Sequence, residues 1–400
     1  MKEYAGKARR VLFIVENLPS PFDRRVWQEA TTLVKAGYIV SIICPKGKGY
    51  EEKYENLEGV HIHRHGLPVE AESPVGYLFE YSIALFSQFR LAIRIWLLRG
   101  FDVIHACNPP DNIFIIGLFF KLLGKKFLFD HHDINPELYE AKFGRRDIFY
   151  KLMLLSERLT FKTADISIAT NESYKEIAIS RGEMEPDNVF VVRSGPKLDR
   201  LKILPSVDTL KCGRKYLVGY VGVMGKQEGI DLFLEAIQHI IYELKRIDIH
   251  FGLVGGGTSL EEMKVLADEL KVSDFVTFTG RVPDKEMLEM LNTADVCVNP
   301  DVANEMNDKS TMNKIMEYMA LAKPIVQFDL TEGRFSAGGA SLYAAKNDIK
   351  DLGSKIVELV DDSEKRRKMG ELGRKRVVEE LSWEYEVPKL LKAYDTLFEK

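Results

Sequence analysis

Short apolar runs alternate with longer helical patterns along nearly the whole chain, and this alternation constrains the fold more than any other feature. "RVLFIVE" precedes the helical stretch "DRRVWQEATTLVKAG", and "YIVSIICP", "FDVIHACN", "KKFLFDHHD", "ADISIATN" and "NVFVVRSG" follow. Runs so short and so rich in Val, Ile and Phe are strands buried on both faces, as in a parallel sheet covered by helices. The series restarts at "KYLVGYVG" and continues through "DIHFGLVGGG", "FVTFTG", "ADVCVNP" and "KPIVQFD", with helices expected over about 230–245, 259–270 and 283–291. Pro205, mixed charges and weak periodicity mark 197–215 as a linker. The expected architecture is α/β, with two Rossmann-like, doubly wound parallel-sheet domains at residues 1–200 and 201–380. A last helix over 381–400 is expected to kink or start near Pro388.

A chain of 400 residues is comfortable for two cores. A formal charge of −4 gives no general reason to expect nucleic acid as a partner. Cys44, Cys107, Cys212 and Cys297 lack Cys-x-x-Cys spacing and read as thiols in a reducing compartment, with Cys44, Cys107 and Cys297 buried. "VLFIVE" is too short for a signal segment, and no uncharged run reaches the roughly 18–20 residues of a membrane span. The expected location is the cytoplasm.

"STMNKIMEYMALAKPIVQFD", Ser310 to Asp329, places charges in an oily segment. Open α/β sheets bind ligands at the carboxyl ends of their strands, and "ADVCVNP" ends just upstream. A helix capped by Ser310 or Thr311 offers first-turn N–H groups and a dipole to an anion. Lys314 then lies near the helix start and Glu317 one turn deeper, on one face with Ser310. A cation there suits a nucleotide diphosphate, and the carboxylate suits the hydroxyls of a ribose. A surface Lys–Glu pair worth a few tenths of a kcal/mol is the plain alternative.

Other constellations compete for roles. "FDHHDINPELY" sets His131, His132 and Asp133 at the end of a strand; adjacent histidines point apart there, so no metal site is expected. Asp23, Arg24 and Arg25 either meet an anion or form a helix cap with a solvated face. "LVGGGTSLEEM" has Leu260 where a dinucleotide fingerprint needs its third glycine. "GYVGVMGKQ" fails as a phosphate loop, so both glycine clusters read as tight turns that let backbone approach a ligand. "FDLTEGRFSAGGASLY" reads as a loop over the same pocket, carrying Glu332, Ser336 and Gly338. "GYLFEYSIALFSQFRLAIRIWLLRG", with Arg90, Arg94 and Arg99, is either a packed helix or a contact with a membrane surface. The downstream Lys121, Lys125 and Lys126 add to the second reading.

"MNKIMEYMALAKPIV" resembles the donor-site helix of the family-four retaining glycosyltransferases of the GT-B fold, with Ala322 at the usual glycine. The likeness covers nearly the whole chain. It implies two Rossmann-like domains facing across a cleft, a C-terminal helix crossing back to the first, and transfer of a sugar from a nucleotide donor. Glu317 matches the glutamate that binds the donor ribose, and His132 with Asp133 matches the His-Asp near the transferred sugar, with His131 in reserve. Departures accompany the match. The first glutamate of the family pair falls on Lys309, and the two usual phosphate cations fall on Val223 and Glu228. Lys226, Lys309 or Lys314, with backbone N–H groups at Gly222 and Gly225, are the candidate replacements.

The resemblance implies a hexosyltransferase-type enzyme of surface polysaccharide assembly, without a bound cofactor or metal. Its donor is a nucleotide sugar, taken as a UDP-sugar from the family's usage. The acceptor is a saccharide or a polyprenyl-linked saccharide, reached from the inner face of the cell membrane through a peripheral contact. A GT-B-fold sugar-nucleotide epimerase and a non-catalytic nucleotide-sugar-binding protein are the rival readings.

Overall fold

A computed structural model describes residues 8–66 and 74–400. The chain forms two compact units: residues up to Ser194 together with Glu386–Lys400, and Gly195–Tyr385.

The first unit contains β1 (Arg10–Ile14), α1 (Arg24–Lys35), β2 (Ile39–Pro45), β3 (Tyr54–Leu57), β4 (Val60–His65), α2 (Pro74–Leu98), β5 (Val103–Cys107) and α3 (Phe114–Leu122). It continues with β6 (Lys126–His131), α4 (Asn135–Phe143), α5 (Ile148–Thr163), β7 (Ile166–Ala169), α6 (Glu172–Ser180) and β8 (Val189–Val191). The sheet order is β3-β4-β2-β1-β5-β6-β7-β8, parallel throughout except at the β3 edge. Leu12, Ile14, Ile43, Ile104 and Phe127 are buried from the strands, which is why these segments read as continuous oily runs. The winding direction reverses between β1 and β5.

The second unit contains β9 (Tyr216–Val221), α7 (Ile230–Tyr242), β10 (Ile249–Val254), α8 (Leu260–Glu269), β11 (Val276–Gly280), α9 (Asp284–Thr293), β12 (Val296–Asn299), α10 (Glu305–Lys309) and α11 (Asn313–Ala320). It ends with β13 (Ile325–Phe328), α12 (Thr331–Ala337), β14 (Ser341–Ala344), α13 (Ile349–Asp361), α14 (Ser363–Arg376) and the start of α15 (Trp383–Glu399). Its all-parallel sheet runs β11-β10-β9-β12-β13-β14, with the reversal between β9 and β12. The stretch 197–215 is laid along α9: Asn292 accepts from the Leu204 amide at 3.0 Å and Thr293 from the Val207 amide at 2.9 Å.

Several local expectations are corrected. The β3–β4 hairpin was not anticipated; it turns at Glu58 and Gly59, both at positive φ (49° and 84°), and its strands carry His and Glu instead of an oily run. The polar stretch before Ser310 contains α10, and α11 starts at Asn313 with Met312 as N-cap and no side-chain cap bond. Ser310 closes α10 instead, its hydroxyl donating to the Met306 carbonyl at 2.7 Å. The expected loop at 329–343 is a helix followed by an edge strand, and Glu332 and Ser336 are buried in it. Pro388 sits inside α15, which starts five residues earlier at Trp383.

Candidate functional site

In the second unit the reversal of winding leaves the carboxyl ends of β9 and β12 to diverge, and α11 is wedged over them. The buried Tyr318 hydroxyl accepts from the Val221 amide at 2.9 Å and donates to the Val298 carbonyl at 3.3 Å. The β9 loop, Gly222 to Gly225, lies against the glycine cluster after β10. A Cβ on Gly255, whose φ is +138°, would stand 1.8 Å from the Gly222 carbonyl oxygen, and one on Gly257 2.5 Å from that of Met224. Only glycine lets these two backbones touch.

Lys314 leaves the first turn of α11 and is buried. Its Nζ lies 2.7 Å from Glu228 Oε2, 2.8 Å from Asp301 Oδ1 and 5.0 Å from the Tyr220 ring centroid. Burial alone would lower the lysine's pKa, but the Asp301 and Glu228 carboxylates hold it well above its ordinary value. Burial and the Glu228 charge push Asp301 up to about 7, against the pull of Lys314. Glu228 is held below its ordinary value: burial pushes it up, but the Lys314 ammonium outweighs this. Lys314 is thus held between two acids, one of which, Asp301, titrates at about 7. Lys314 is not an uncommitted cation. Lys226, exposed on the turn after Gly225, has no ion pair among the described residues.

One turn deeper on α11, Glu317 Oε1 accepts from Arg200 Nη1 at 3.0 Å, and Arg200 also holds Asp284 at 2.6 Å. Sequence reading missed this arginine because it falls in a stretch without periodicity. Lys309 pairs with Glu305 across one turn of α10 at 2.9 Å, so the acid that precedes it sits on the same helical face. Thr311 lies between α10 and α11, outside both.

In the first unit the reversal point gathers charges from α1, β5, β6 and α15. Arg25 was expected on a solvated face or against an anion; it is buried. Its Nη2 lies 2.8 Å from Asp130 Oδ1 and 3.1 Å from Glu29 Oε1, and its Nη1 donates to the Val192 carbonyl at 2.8 Å. Asp23 supplies the N-cap of α1, accepting from the Val26 amide at 3.1 Å, which is worth about 1 kcal/mol. His132 Nε2 lies 2.5 Å from Asp130 Oδ2 and 2.9 Å from Arg25 Nε. His105 Nε2 approaches the same Asp130 oxygen at 3.3 Å, and its Nδ1 meets the Tyr394 hydroxyl at 2.7 Å.

Asp133 is half-buried, and its amide and carbonyl are tied to the Asn108 side chain at 3.2 and 2.6 Å. Burial pushes its carboxyl up. His131, the reserve candidate, is fully enclosed by Phe129, Phe161 and Tyr174, 3.5 Å from Glu157, and points away from this cluster. The alternation of side chains along β6 puts the two histidines on opposite sides.

Glu29, Asp130 and His132 have metal-ligand chemistry at short range, as do His105, Cys107 and Asp130. Arg25 already supplies the positive charge within the first set. Burial pushes the Cys107 thiol well above its ordinary value. Both sets share Asp130, whose carboxylate Arg25 already holds.

The profile described as Glycosyltransferase Family 4 matches residues 23–200, and the one described as Glycosyl transferases group 1 matches residues 215–362. An uncharacterized glycosyltransferase of Methanocaldococcus jannaschii is 20% identical over 372 residues, covering 91% of this chain and 89% of its own length. The capsular polysaccharide biosynthesis glycosyltransferase CapM of Staphylococcus aureus is 24% identical over 265 residues, 63% of this chain and 67% of its own. The crystal structure of Anabaena HepE in complex with UDP and glucose matches 96% of this chain and 99% of that one with a TM-score of 0.74, at 14% identity.

Proposed function

The chain belongs to the family 4 glycosyltransferases and has their GT-B fold, and from that premise we propose that it transfers a sugar, with retention, from a UDP-sugar to a lipid-linked saccharide in surface polysaccharide assembly. The observation that carries the donor side is the wedge of α11 over the diverging ends of β9 and β12. Ligands of doubly wound sheets bind at such reversals. There an uncapped helix start, the Gly222–Gly225 loop and Lys226 offer N–H groups and one cation to a diphosphate. Lys314 stays clamped between Glu228 and Asp301, and stands where a phosphate oxygen can share its ammonium. Glu317, one turn along, holds the ribose hydroxyls, with Arg200 releasing or sharing its carboxylate.

In the leaving step negative charge grows on the departing diphosphate, so the protein's contribution is electrostatic and positional. The diphosphate itself takes the acceptor proton. His132 and Asp133 hold the sugar. HepE binds UDP and glucose, which supports the donor class; the likeness to CapM supports the polysaccharide class.

The acceptor side rests on a second feature. The outer faces of α2, α3 and α5 expose Leu97, Leu98, Leu118, Leu122, Leu152 and Leu155, with Leu122 80% exposed. Arg90, Arg94 and Lys151 are exposed among them. The one acid among the described side chains of these helices, Glu157, is buried under Arg181 at 2.5 Å. No described helix is long and apolar enough to cross a membrane. An apolar face carrying exposed cations suits an anionic lipid surface, the plane in which a polyprenyl-linked acceptor lies.

Crystals soaked with UDP test the donor site. Density along the Gly222–Gly225 loop and the start of α11, with ribose against Glu317, is the expected result. An empty site overturns the reading.

A further inference from the structure

We propose that Asp130 is a positioning residue that fixes His132 with its proton on Nε2 and leaves Nδ1 as the acceptor offered to a sugar hydroxyl; this rests on the transfer reading above. His132 Nε2 has two close neighbours, Asp130 Oδ2 at 2.5 Å and Arg25 Nε at 2.9 Å. One ring nitrogen cannot donate to the first and accept from the second at once. The carboxylate decides between them. Arg25 Nη2 donates to Oδ1 at 2.8 Å, and Arg25 Nε–H has Oδ2 as a second acceptor at 3.2 Å. Burial alone would push the Asp130 carboxyl up. The Arg25 charge and the hydrogen bonds from the histidines hold it well below the usual range. An ionised carboxylate only accepts, so Nε2 carries the proton.

The other neighbours follow the same pattern. Burial lowers the His105 pKa and raises that of Tyr394. The Asp130 carboxylate faces His105 Nε2 at 3.3 Å and takes its N–H, which leaves Nδ1 to accept the Tyr394 O–H at 2.7 Å. Burial also pushes Glu29 well above its ordinary value; its Oε1 lies 3.1 Å from Arg25 Nη2 and its Oε2 3.4 Å from His105 Nε2. Three elements thus aim donors at one carboxylate: Arg25 from α1, His105 from β5, backed by Tyr394 from α15, and His132 itself beyond β6. His132 Nδ1 makes no hydrogen bond among the described residues, and 14% of the side chain is exposed. That nitrogen is the lone pair left for a ligand.

The test reads the tautomer directly. Two-bond 15N–1H correlation spectra of the labelled, ligand-free protein, with His132 assigned through His132→Gln, are expected to show the proton on Nε2. In Asp130→Asn, Arg25 Nη2 holds the amide oxygen and turns the NH2 toward His132. Nε2 must then accept, and the proton moves to Nδ1, as for the buried aspartate of a serine-protease triad. The turnover number is expected to fall about 100-fold with donor affinity within about threefold. Tyr394→Phe, a milder change, keeps the Nε2–H tautomer and lowers turnover only a few-fold.

A wild-type protein with its proton on Nδ1 overturns the proposal whatever the variants do. So does an Asp130→Asn protein that keeps the Nε2–H tautomer and turns over within twofold of wild type. Should the wild type show the Nε2–H tautomer but no acceptor-dependent turnover, the transfer reading fails and the positioning role of Asp130 stands.

Discussion

Lys314 Nζ lies 2.7 Å from the Glu228 carboxylate, and this acid occupies the loop position where related enzymes are expected to carry a phosphate-binding lysine. The cation comes from α11 instead and reaches the same spot with Asp301 2.8 Å away on its other side. Two acids around one ammonium weaken its pull on a diphosphate. Glu228→Gln is therefore expected to tighten UDP binding about three- to tenfold, read by titration calorimetry. Lys314→Met does the reverse: it leaves two buried acids facing each other, weakens UDP binding, and costs about 3–5 kcal/mol of stability in urea melts. Weaker UDP binding in Glu228→Gln contradicts this account of the triad.

Asp301 gives the triad a pH dependence. Its folded pKa, about 7, is above its ordinary 3.8. Between those values the folded state binds more protons than the unfolded state, so this group's contribution to stability is full below about pH 4 and is lost as pH rises through 7. Glu228, held below its ordinary value, acts in the opposite sense at more acid pH. Melting curves from pH 5 to 8 are expected to show Asp301→Asn gaining on the wild type as pH rises. Parallel curves would mean Asp301 is ionised throughout.

Glu317 is paired with Arg200 at 3.0 Å and is expected to hold the donor ribose. Glu317→Gln should leave the fold intact and weaken UDP binding about tenfold, equivalent to about 1.4 kcal/mol. Unchanged affinity refutes the assigned role and leaves Glu317 as a tether for the segment around Arg200.

The exposed leucines of α2, α3 and α5 make a separable prediction. Leu122→Glu combined with Leu152→Glu should abolish sedimentation with vesicles containing anionic lipid, and leave UDP affinity unchanged. Wild-type protein should bind such vesicles, release them as salt rises, and ignore zwitterionic ones. Equal binding to both lipid types would mean the basic border has no part in docking.

The strands were legible because burial on both faces imposes oily runs, from "VLFI" in β1 to "IVQF" in β13. The β3–β4 hairpin was not, because an edge strand such as "YENL" meets water and carries no such signature. The N-cap of α11 is Met312, one or two residues past the expected Ser-Thr pair, because Ser310 serves α10. The partners of the site charges were the least readable part. Arg25 finds Asp130 across 105 positions and Lys314 finds Glu228 across 86, and no local pattern encodes such pairs. What the sequence did offer was the anomaly itself: a glutamate in place of a cation at 228, and a lysine inside an oily helix at 314.

Acceptor-dependent transfer is the most direct test of the central claim. Wild-type protein is incubated with UDP-sugars and a polyprenyl-linked saccharide, and the product's anomeric centre is read by NMR. The account predicts UDP release only when acceptor is present, and a product with the donor's anomeric configuration. Inversion at that centre, or a sugar nucleotide altered without any acceptor, would contradict it.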